Sequence, residues 1–188
     1  MKSLLYTRIA GGVVTPGTAI YTGAGNDRVK LGASSVTVGA IDLGDGDDSL
    51  VLTGTPQVTG FVTGGAGTNT LVFDGAGGIG FAPAAFEQAT KQGSGTFTVA
   101  ALPTMQRIDV RQGVLQVNSN YAFSNTGVLQ SRINGDGSAG LFRVNGTAQL
   151  DGNLTVVKGI NRSEPFISTS TMVLSNGIMA MMSARFIF

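Results

Sequence analysis

A 21-residue repeat is the feature of this sequence that most restricts its fold. Gly23, Gly44 and Gly65 stand 21 residues apart and open the similar stretches "GAGNDRVKL", "GDGDDSLVL" and "GAGTNTLVF". A fixed period of about 20 to 50 residues is typical of repeat architectures, in which each unit needs its neighbours to cover its apolar face. The first part of the chain is therefore expected to be a stack of similar units.

Aligning the repeats places apolar residues in three columns. The columns are Val29, Leu50 and Leu71; Leu31, Leu52 and Phe73; and Ile20, Ile41 and Val62. Residues two apart on a strand face the same side, so the first two columns point inward together. Glycine with Asn or Asp before each strand suits corners that need a positive φ. The pattern predicts an all-β fold, a parallel β-solenoid with one coil per repeat.

The strand pattern changes in the middle of the chain. The stretch "APAAFEQATKQG" at residues 82–93 is rich in Ala, Glu, Gln and Lys, opens with Pro83 and closes with Gly93. This composition predicts a short helix or an ordered loop. Beyond it, short alternating stretches such as "GTFTVAAL" and "GVLQVNSN" are separated by Gly, Asn, Asp or Ser without a fixed period, which predicts further short strands. The boundaries of the three expected regions are 1–84, 85–94 and 95–188.

Composition excludes several function classes. The 188-residue chain contains neither cysteine nor histidine, which excludes disulfides, histidine-bound zinc, and nucleophilic catalysis of the Ser-His-Asp and Cys-His types. A net charge of +1 without a basic run gives no reason to expect nucleic acid as a partner. Arg8 interrupts the apolar start, so no signal peptide is predicted. No stretch approaches the roughly 18 to 20 apolar residues of a membrane helix, so this segment is not expected to insert into a membrane.

The second half contains the succession "FEQATKQGSGTFTV", "RIDVRQGVLQVNS" and "LFRVNGTAQLDGNLTVV". Over residues 84 to 188 it resembles the C-terminal part of autotransporter passenger domains, the pertactin-like β-helices that bacteria secrete through the outer membrane. The resemblance implies a right-handed parallel β-helix, a single elongated domain with a C-terminal cap. In that family the cap is the autochaperone, which folds early and templates the coils upstream.

The resemblance also implies a role, partners and a folding nucleus. The role is structural and non-enzymatic: the segment supports type V secretion and the display of a distal adhesin or effector region, at the bacterial cell surface or as a secreted protein, via the outer membrane. No cofactor is required. The partners are upstream passenger coils and a translocator β-barrel of the same precursor, together with a host-surface ligand. The expected folding nucleus consists of Phe97, Leu115, Val117, Val144, Leu150 and Leu154.

Two departures from the family pattern concern single positions. Phe97 stands where the family usually has tryptophan, and Ala184 with Arg185 stand where a glycine is expected before the last aromatic residues.

The N-terminal repeats resemble a second family, the calcium-binding RTX nonapeptides. In that register the stretches are "TGAGNDRVK", "LGDGDDSLV" and "GGAGTNTLV". The candidate calcium ligands are Asp27, Asp45, Asp47, Asp48 and Asn69. Calcium takes about six to eight oxygen ligands, which two adjacent coils would have to supply. The alternative is a purely structural turn, in which glycine supplies the positive φ and Asp or Asn binds nearby backbone. The sequence leaves a calcium-binding RTX-type adhesin module open as the second function.

An enzymatic interpretation is the third alternative. Asp47 and Asp48 with Arg28 and Lys30 could be taken for the carboxylates and bases of a glycosidase or a polysaccharide lyase. All of them lie in the turn motif, which already has a structural explanation, and no aromatic platform for a sugar lies beside them. The sequence therefore predicts no enzymatic activity.

Overall fold

A computed structural model describes residues 9–10, 13–14, 17–149, 151–158 and 169–174. The described residues form short strands and turns without a helix, and most strands pair in parallel. Successive coils stack into a β-solenoid of about 7 turns. The predicted all-β parallel solenoid is thereby confirmed.

The strands are short and follow one another around each coil. In chain order they are β1 (Ile9–Ala10), β2 (Val13–Val14), β3 (Thr18–Tyr21), β4 (Arg28–Leu31), β5 (Val36–Thr37), β6 (Ala40–Asp42), β7 (Ser49–Gly54), β8 (Gln57–Val58), β9 (Val62–Thr63), β10 (Thr70–Ile79), β11 (Pro83–Ala84), β12 (Gln88–Gln92), β13 (Thr96–Val99), β14 (Arg107–Val110), β15 (Gly113–Val117), β16 (Tyr121–Ala122), β17 (Val128–Ile133), β18 (Gly140–Val144), β19 (Ala148–Gln149), β20 (Gly152–Lys158) and β21 (Thr169–Leu174).

Parallel pairing joins corresponding strands of successive coils. We call the sheet surface that stacks β4, β7, the first half of β10, β12, β14, β17 and β20 the long face. The end of β10 instead pairs with β13, which continues into β15 and β18. Strands β3, β6, β9 and β11 form a separate sheet, and β5 with β8 and β16 with β19 form two short ones. At the downstream end, β21 pairs with β20 in antiparallel orientation.

The three apolar columns predicted from the 21-residue period are confirmed by the pairing register. Val29 pairs with Leu50 and Leu50 with Leu71, and the other two columns follow in the same way. The inward residues from Leu31 to Phe73 in these columns are at most 4% exposed, and Val29 and Ile20 pack against them. Burial of whole apolar side chains in register is the main stabilisation of such a stack.

The fixed period ends where the middle of the chain begins. Glu87 takes the place of Asn69 in the next coil and follows it by only 18 residues. Further along, Arg143 follows its bonded partner Gln116 by 27 residues.

The expected helix or loop at residues 82–93 is wrong, because Gln88–Gln92 is the strand β12. Ala, Glu, Gln and Lys favour helices only by tenths of a kcal/mol per residue, about 0.7 at most. Here β12 pairs with β10 on one side and β14 on the other, and Ala89 is buried.

The core continues through the second half of the chain. Phe97, Leu115 and Val117 are fully buried, and the Phe97 ring packs on Phe73 with centroids 5.1 Å apart. Val144 packs against this core and Leu154 is half-buried, whereas Leu150 lies outside the described residues. That these six residues nucleate folding stays a prediction, as does the division at residues 84 and 94.

Glycines at the repeated corner have two separate reasons to be glycine. Gly44 and Gly65 have φ values of 90° and 82°, in the left-handed region that side chains disfavour. A Cβ on Gly65 would also lie 1.8 Å from the carbonyl oxygen of Gly44 in the coil before. Successive coils therefore approach too closely at Gly44 and Gly65 for a side chain at either position.

We predict that Gly65→Ala lowers the free energy of unfolding by about 2 kcal/mol or more, since backbone strain and a backbone clash both oppose it. Gly80→Ala is the matched control, because a Cβ at Gly80 meets no atom within 4 Å. Urea unfolding followed by circular dichroism measures both. Equal effects of the two substitutions would contradict the close corner stacking.

Candidate functional site

The glycine and aspartate stretches form one corner of the solenoid. Gly44–Asp48 joins β6 to the long-face strand β7, and the stretches beginning at Gly23 and Gly65 occupy the same corner in the coils on either side. Backbone hydrogen bonds stack these corners: Gly25 N donates to Asp45 O at 2.8 Å, and Gly46 N donates to Ala66 O at 3.0 Å. Successive corners are thus hydrogen-bonded to one another through their backbones, like the strands of the sheets beside them.

Three side chains at this corner accept hydrogen bonds from the backbone of the preceding coil and so form a ladder from coil to coil. The Asp48 Oδ1 atom accepts a hydrogen bond from Asp27 N at 2.7 Å, and Asn69 Oδ1 accepts one from Asp48 N at 2.9 Å. Glu87 Oε2 continues the series by accepting from Asn69 N at 2.7 Å. In this inner ladder of Asp27, Asp48, Asn69 and Glu87, each acceptor satisfies the backbone of the coil before it.

A second series runs in the opposite direction on the outside of the corner. Asn26 Oδ1 accepts from Asp47 N at 2.8 Å, and Asp47 Oδ1 accepts from Thr68 N at 2.8 Å. Each side chain of this outer ladder satisfies the backbone of the coil that follows. Neighbouring coils are therefore held by side-chain bonds in both directions, which opposes any slip of one coil against the next.

The five candidate calcium ligands do not converge on one point. Asp48 and Asn69 are buried in the inner ladder, whereas Asp45 and Asp47 are exposed. Nowhere in the described ranges do three acidic side chains come together closely enough to hold a metal. The buried oxygens left without a partner here are Asp27 Oδ2 and Asp48 Oδ2. Calcium takes about six to eight oxygens, so the described residues form no preassembled calcium site, and calcium binding stays a prediction.

The buried position of Asp48 disfavours its charge. Asp48 is 2% exposed, and burial raises its pKa above the ordinary 3.8, with further contributions from the carboxylates of Asp27, Asp47 and Asp45. The hydrogen bond from Asp27 N works in the opposite direction. Asn69 occupies the equivalent place without charge, and its Nδ2 donates to Ala85 O at 3.2 Å. The corner therefore accommodates a neutral acceptor better than a carboxylate.

A buried lysine occupies a second corner of the solenoid. Lys91 lies on the inward side of β12, in register with Phe73 and Val110, and is 0% exposed. Its Nζ donates to the carbonyl oxygens of Gln92 at 2.7 Å, Gly93 at 2.6 Å and Gln112 at 3.3 Å. Burial lowers the pKa of Lys91 below the ordinary 10.5, while Asp74 raises it. The ammonium group ties two successive coils together through their backbone.

Sequence reasoning missed Glu87 and Lys91. Glu87 was not identified because it follows Asn69 by 18 residues, whereas the repeat alignment used a period of 21. Lys91 lay in the stretch expected to be helix or loop, although the alternation of Ala89 and Lys91 with polar neighbours and the following glycines were signals of a strand and a corner. Arg28 and Lys30, considered as catalytic bases, are exposed on β4.

Comparisons with protein-family models, with curated proteins and with solved structures found no match. No helix with the length and apolar character of a membrane span occurs in the part of the chain that the structure describes.

We predict that Asp48→Asn stabilises the fold at neutral pH by about 1 kcal/mol, since the amide keeps the accepting oxygen and removes a buried charge. The raised folded pKa of Asp48 means that wild-type stability falls as pH rises from 3.8 through that pKa. This decrease should be absent in Asp48→Asn. Thermal melts across this pH range measure the effect.

Asn69→Asp is the reverse variant and should destabilise at neutral pH, because it buries a carboxylate at a position that is 0% exposed. Melts of the wild type in calcium and in EDTA accompany both variants. A calcium-dependent rise in melting temperature that Asp48→Asn abolishes would contradict the ladder interpretation and support a metal site.

We predict that Lys91 makes the fold more stable as pH rises from its lowered folded pKa toward the ordinary 10.5, because the unfolded chain binds more protons there. Lys91→Met should remove this increase, whereas Lys30→Met, at an exposed position on β4, should retain it. Urea unfolding over this alkaline range provides the measurement. An identical pH profile for the wild type and Lys91→Met would contradict a depressed pKa.

Proposed function

We propose that this chain is a structural segment of a bacterial autotransporter passenger. In this role the downstream coils form a stable cap, the upstream coils fold on it, and the finished solenoid holds a distal adhesin or effector region away from the cell. The segment needs no cofactor and performs no catalysis. Its partners are the upstream passenger coils and the translocator β-barrel of the same precursor, and it acts at the cell surface or after secretion through the outer membrane.

The observation that carries this proposal is the difference between the two ends of the stack. At the downstream end the antiparallel strand β21 covers the edge of β20. At the upstream end β3 and β4 each pair with one other described strand, β6 and β7. An edge with unpaired backbone groups readily accepts a further strand, whereas an antiparallel strand interrupts parallel stacking.

The hydrogen bonds of the inner ladder all run in one direction along the stack. Its acceptors always satisfy the coil before them, and the carboxylate of Asp27, the first member, accepts no hydrogen bond from the described residues. The backbone N–H of a preceding coil is the donor that the series would place there. This supports growth of the solenoid on its upstream side.

The calcium-binding RTX-type module is the less favoured function. It requires Asp45 and Asp47 to join Asp27 and Asp48 around one ion, but Asp47 Oδ1 already accepts from Thr68 N and both residues are exposed. A stack held by backbone pairing and by the two ladders has no need of an ion for its register.

Two substitutions test whether the downstream coils template the upstream ones. Leu31→Asp and Leu115→Asp each place a charge in the core, at residues 4% and 0% exposed, in an early and a late coil respectively. Either should cost several kcal/mol locally, about 3 to 5, because the charge is buried without a partner. Hydrogen exchange followed by mass spectrometry reports protection coil by coil.

We predict that Leu31→Asp leaves β13 and β15 protected, whereas Leu115→Asp removes protection from β15 and from the upstream strands β7 and β10 alike. Gln116→Asp, at a position that is not buried, is the control and should preserve the wild-type pattern. Full protection of β7 and β10 in Leu115→Asp would contradict templating from the downstream side.

A further inference from the structure

Five polar side chains form a patch on the outer surface of the long face, where β14 lies beside β17. Ile108 and Val110 point into the core, so Arg107, Asp109 and Arg111 point outward. On β17 the outward positions beside them are Gln130 and Arg132. Val110 pairs with Ser131, which places Arg111 and Arg132 next to each other on neighbouring strands. We call Arg107, Asp109, Arg111, Gln130 and Arg132 the arginine patch.

Positive charge is in excess within this patch. Arg111 Nε forms an ion pair with Asp109 Oδ2 at 2.8 Å. Arg107 donates to the uncharged Gln130, and Arg132 Nε is buried without a hydrogen-bond partner. Three arginines thus share one carboxylate, and Asp109 is itself 5% exposed.

The register partners of the patch residues on β12 and β20 are not acidic. Asp109 pairs with Thr90 on β12, Arg107 with Gln88, and on β20 Gln130 pairs with Thr155 and Arg132 with Val157. These flanking residues are uncharged, and Thr90 and Thr155 carry hydroxyl groups at the edge of the patch. The patch is therefore a flat, positively charged area bordered by neutral hydrogen-bonding groups.

We propose that the arginine patch binds the carboxylate groups of an extended acidic polysaccharide. The planar guanidinium group donates two parallel hydrogen bonds to a carboxylate, which gives such pairs both strength and geometric selectivity. The guanidinium groups of Arg111 and Arg132 donate hydrogen bonds to carboxylates of the polymer, and the Gln130 amide and the two threonine hydroxyls bind its sugar hydroxyls.

The layout of the charges favours an extended polymer. Arg111 and Arg132 stand on strands about 4.8 Å apart, and Arg107 lies four residues before Arg111, or about 13 Å along the strand. Charges spread in this way over a plane match a chain with repeated acidic groups better than one compact ion. Single-stranded nucleic acid would call for aromatic side chains on which bases stack, and none of the residues of the patch or its paired neighbours is aromatic.

Titration with size-fractionated sodium polygalacturonate, followed by isothermal calorimetry at low and moderate salt, tests this proposal. Arg111→Gln combined with Arg132→Gln should weaken binding about tenfold or more, the equivalent of losing one strong contact. Arg28→Gln combined with Lys30→Gln removes the same charge from exposed positions on β4 of the long face and should change affinity less than about twofold. Circular dichroism confirms that each variant is folded.

Arg111→Lys combined with Arg132→Lys separates recognition from net charge, because lysine keeps the charge and loses the planar fork. We expect this pair to bind several-fold more weakly than the wild type. Absence of binding to polygalacturonate, equal losses in the patch variant and the β4 variant, or unchanged affinity in the lysine variant would each overturn the proposal. Equal or tighter binding to duplex DNA would overturn it in favour of nucleic acid.

Discussion

The register between neighbouring coils is the constraint on which the rest of this structure depends. A parallel strand that slips by two residues keeps the same faces inside and outside, so the alternation of apolar residues alone does not define one register. At the repeated corner the inner ladder satisfies the coil before and the outer ladder the coil after, with Asp48 and Asp47 adjacent in sequence but serving opposite neighbours. Close stacking of Gly44 on Gly65 leaves no space for a side chain at either position. Core packing, corner geometry and side-chain bonds thus all specify one alignment.

Polar groups inside this solenoid serve the backbone. Asp48 and Lys91 are both buried. Burial raises the pKa of Asp48 and lowers the pKa of Lys91, which in both cases favours the neutral form. Their hydrogen bonds run to backbone N–H or carbonyl groups at corners, where a turn would otherwise leave those groups unsatisfied. The outer surface carries the chemistry available to partners, and the arginine patch is part of that surface.

The 21-residue period allowed the coils as far as Phe73 to be placed correctly from the sequence, because each repeat buries the same positions. The stretch around β12 was misjudged, since the local helix preference of Ala89 and Lys91 is weak compared with pairing on both sides. Glu87 was hidden by the shortened offset of 18 residues, and Lys91 by the same misassignment. The arginine patch was not foreseen either, because Arg111 and Arg132 become neighbours only through the pairing of β14 with β17. Family membership stays a proposal, supported by the motifs of the second half and by the fold.

Disulfide trapping of the coil register is the most direct test of this account, and the absence of cysteine from the chain leaves no competing thiol. Ser49 and Thr70 are register partners on β7 and β10, and a disulfide requires Cα atoms about 4.4 to 6.8 Å apart. Ser49→Cys combined with Thr70→Cys should form an intramolecular disulfide on mild oxidation. Ser49→Cys combined with Val72→Cys, two residues out of register, should stay reduced under the same conditions. Preferential cross-linking of the out-of-register pair would contradict the 21-residue coil stack.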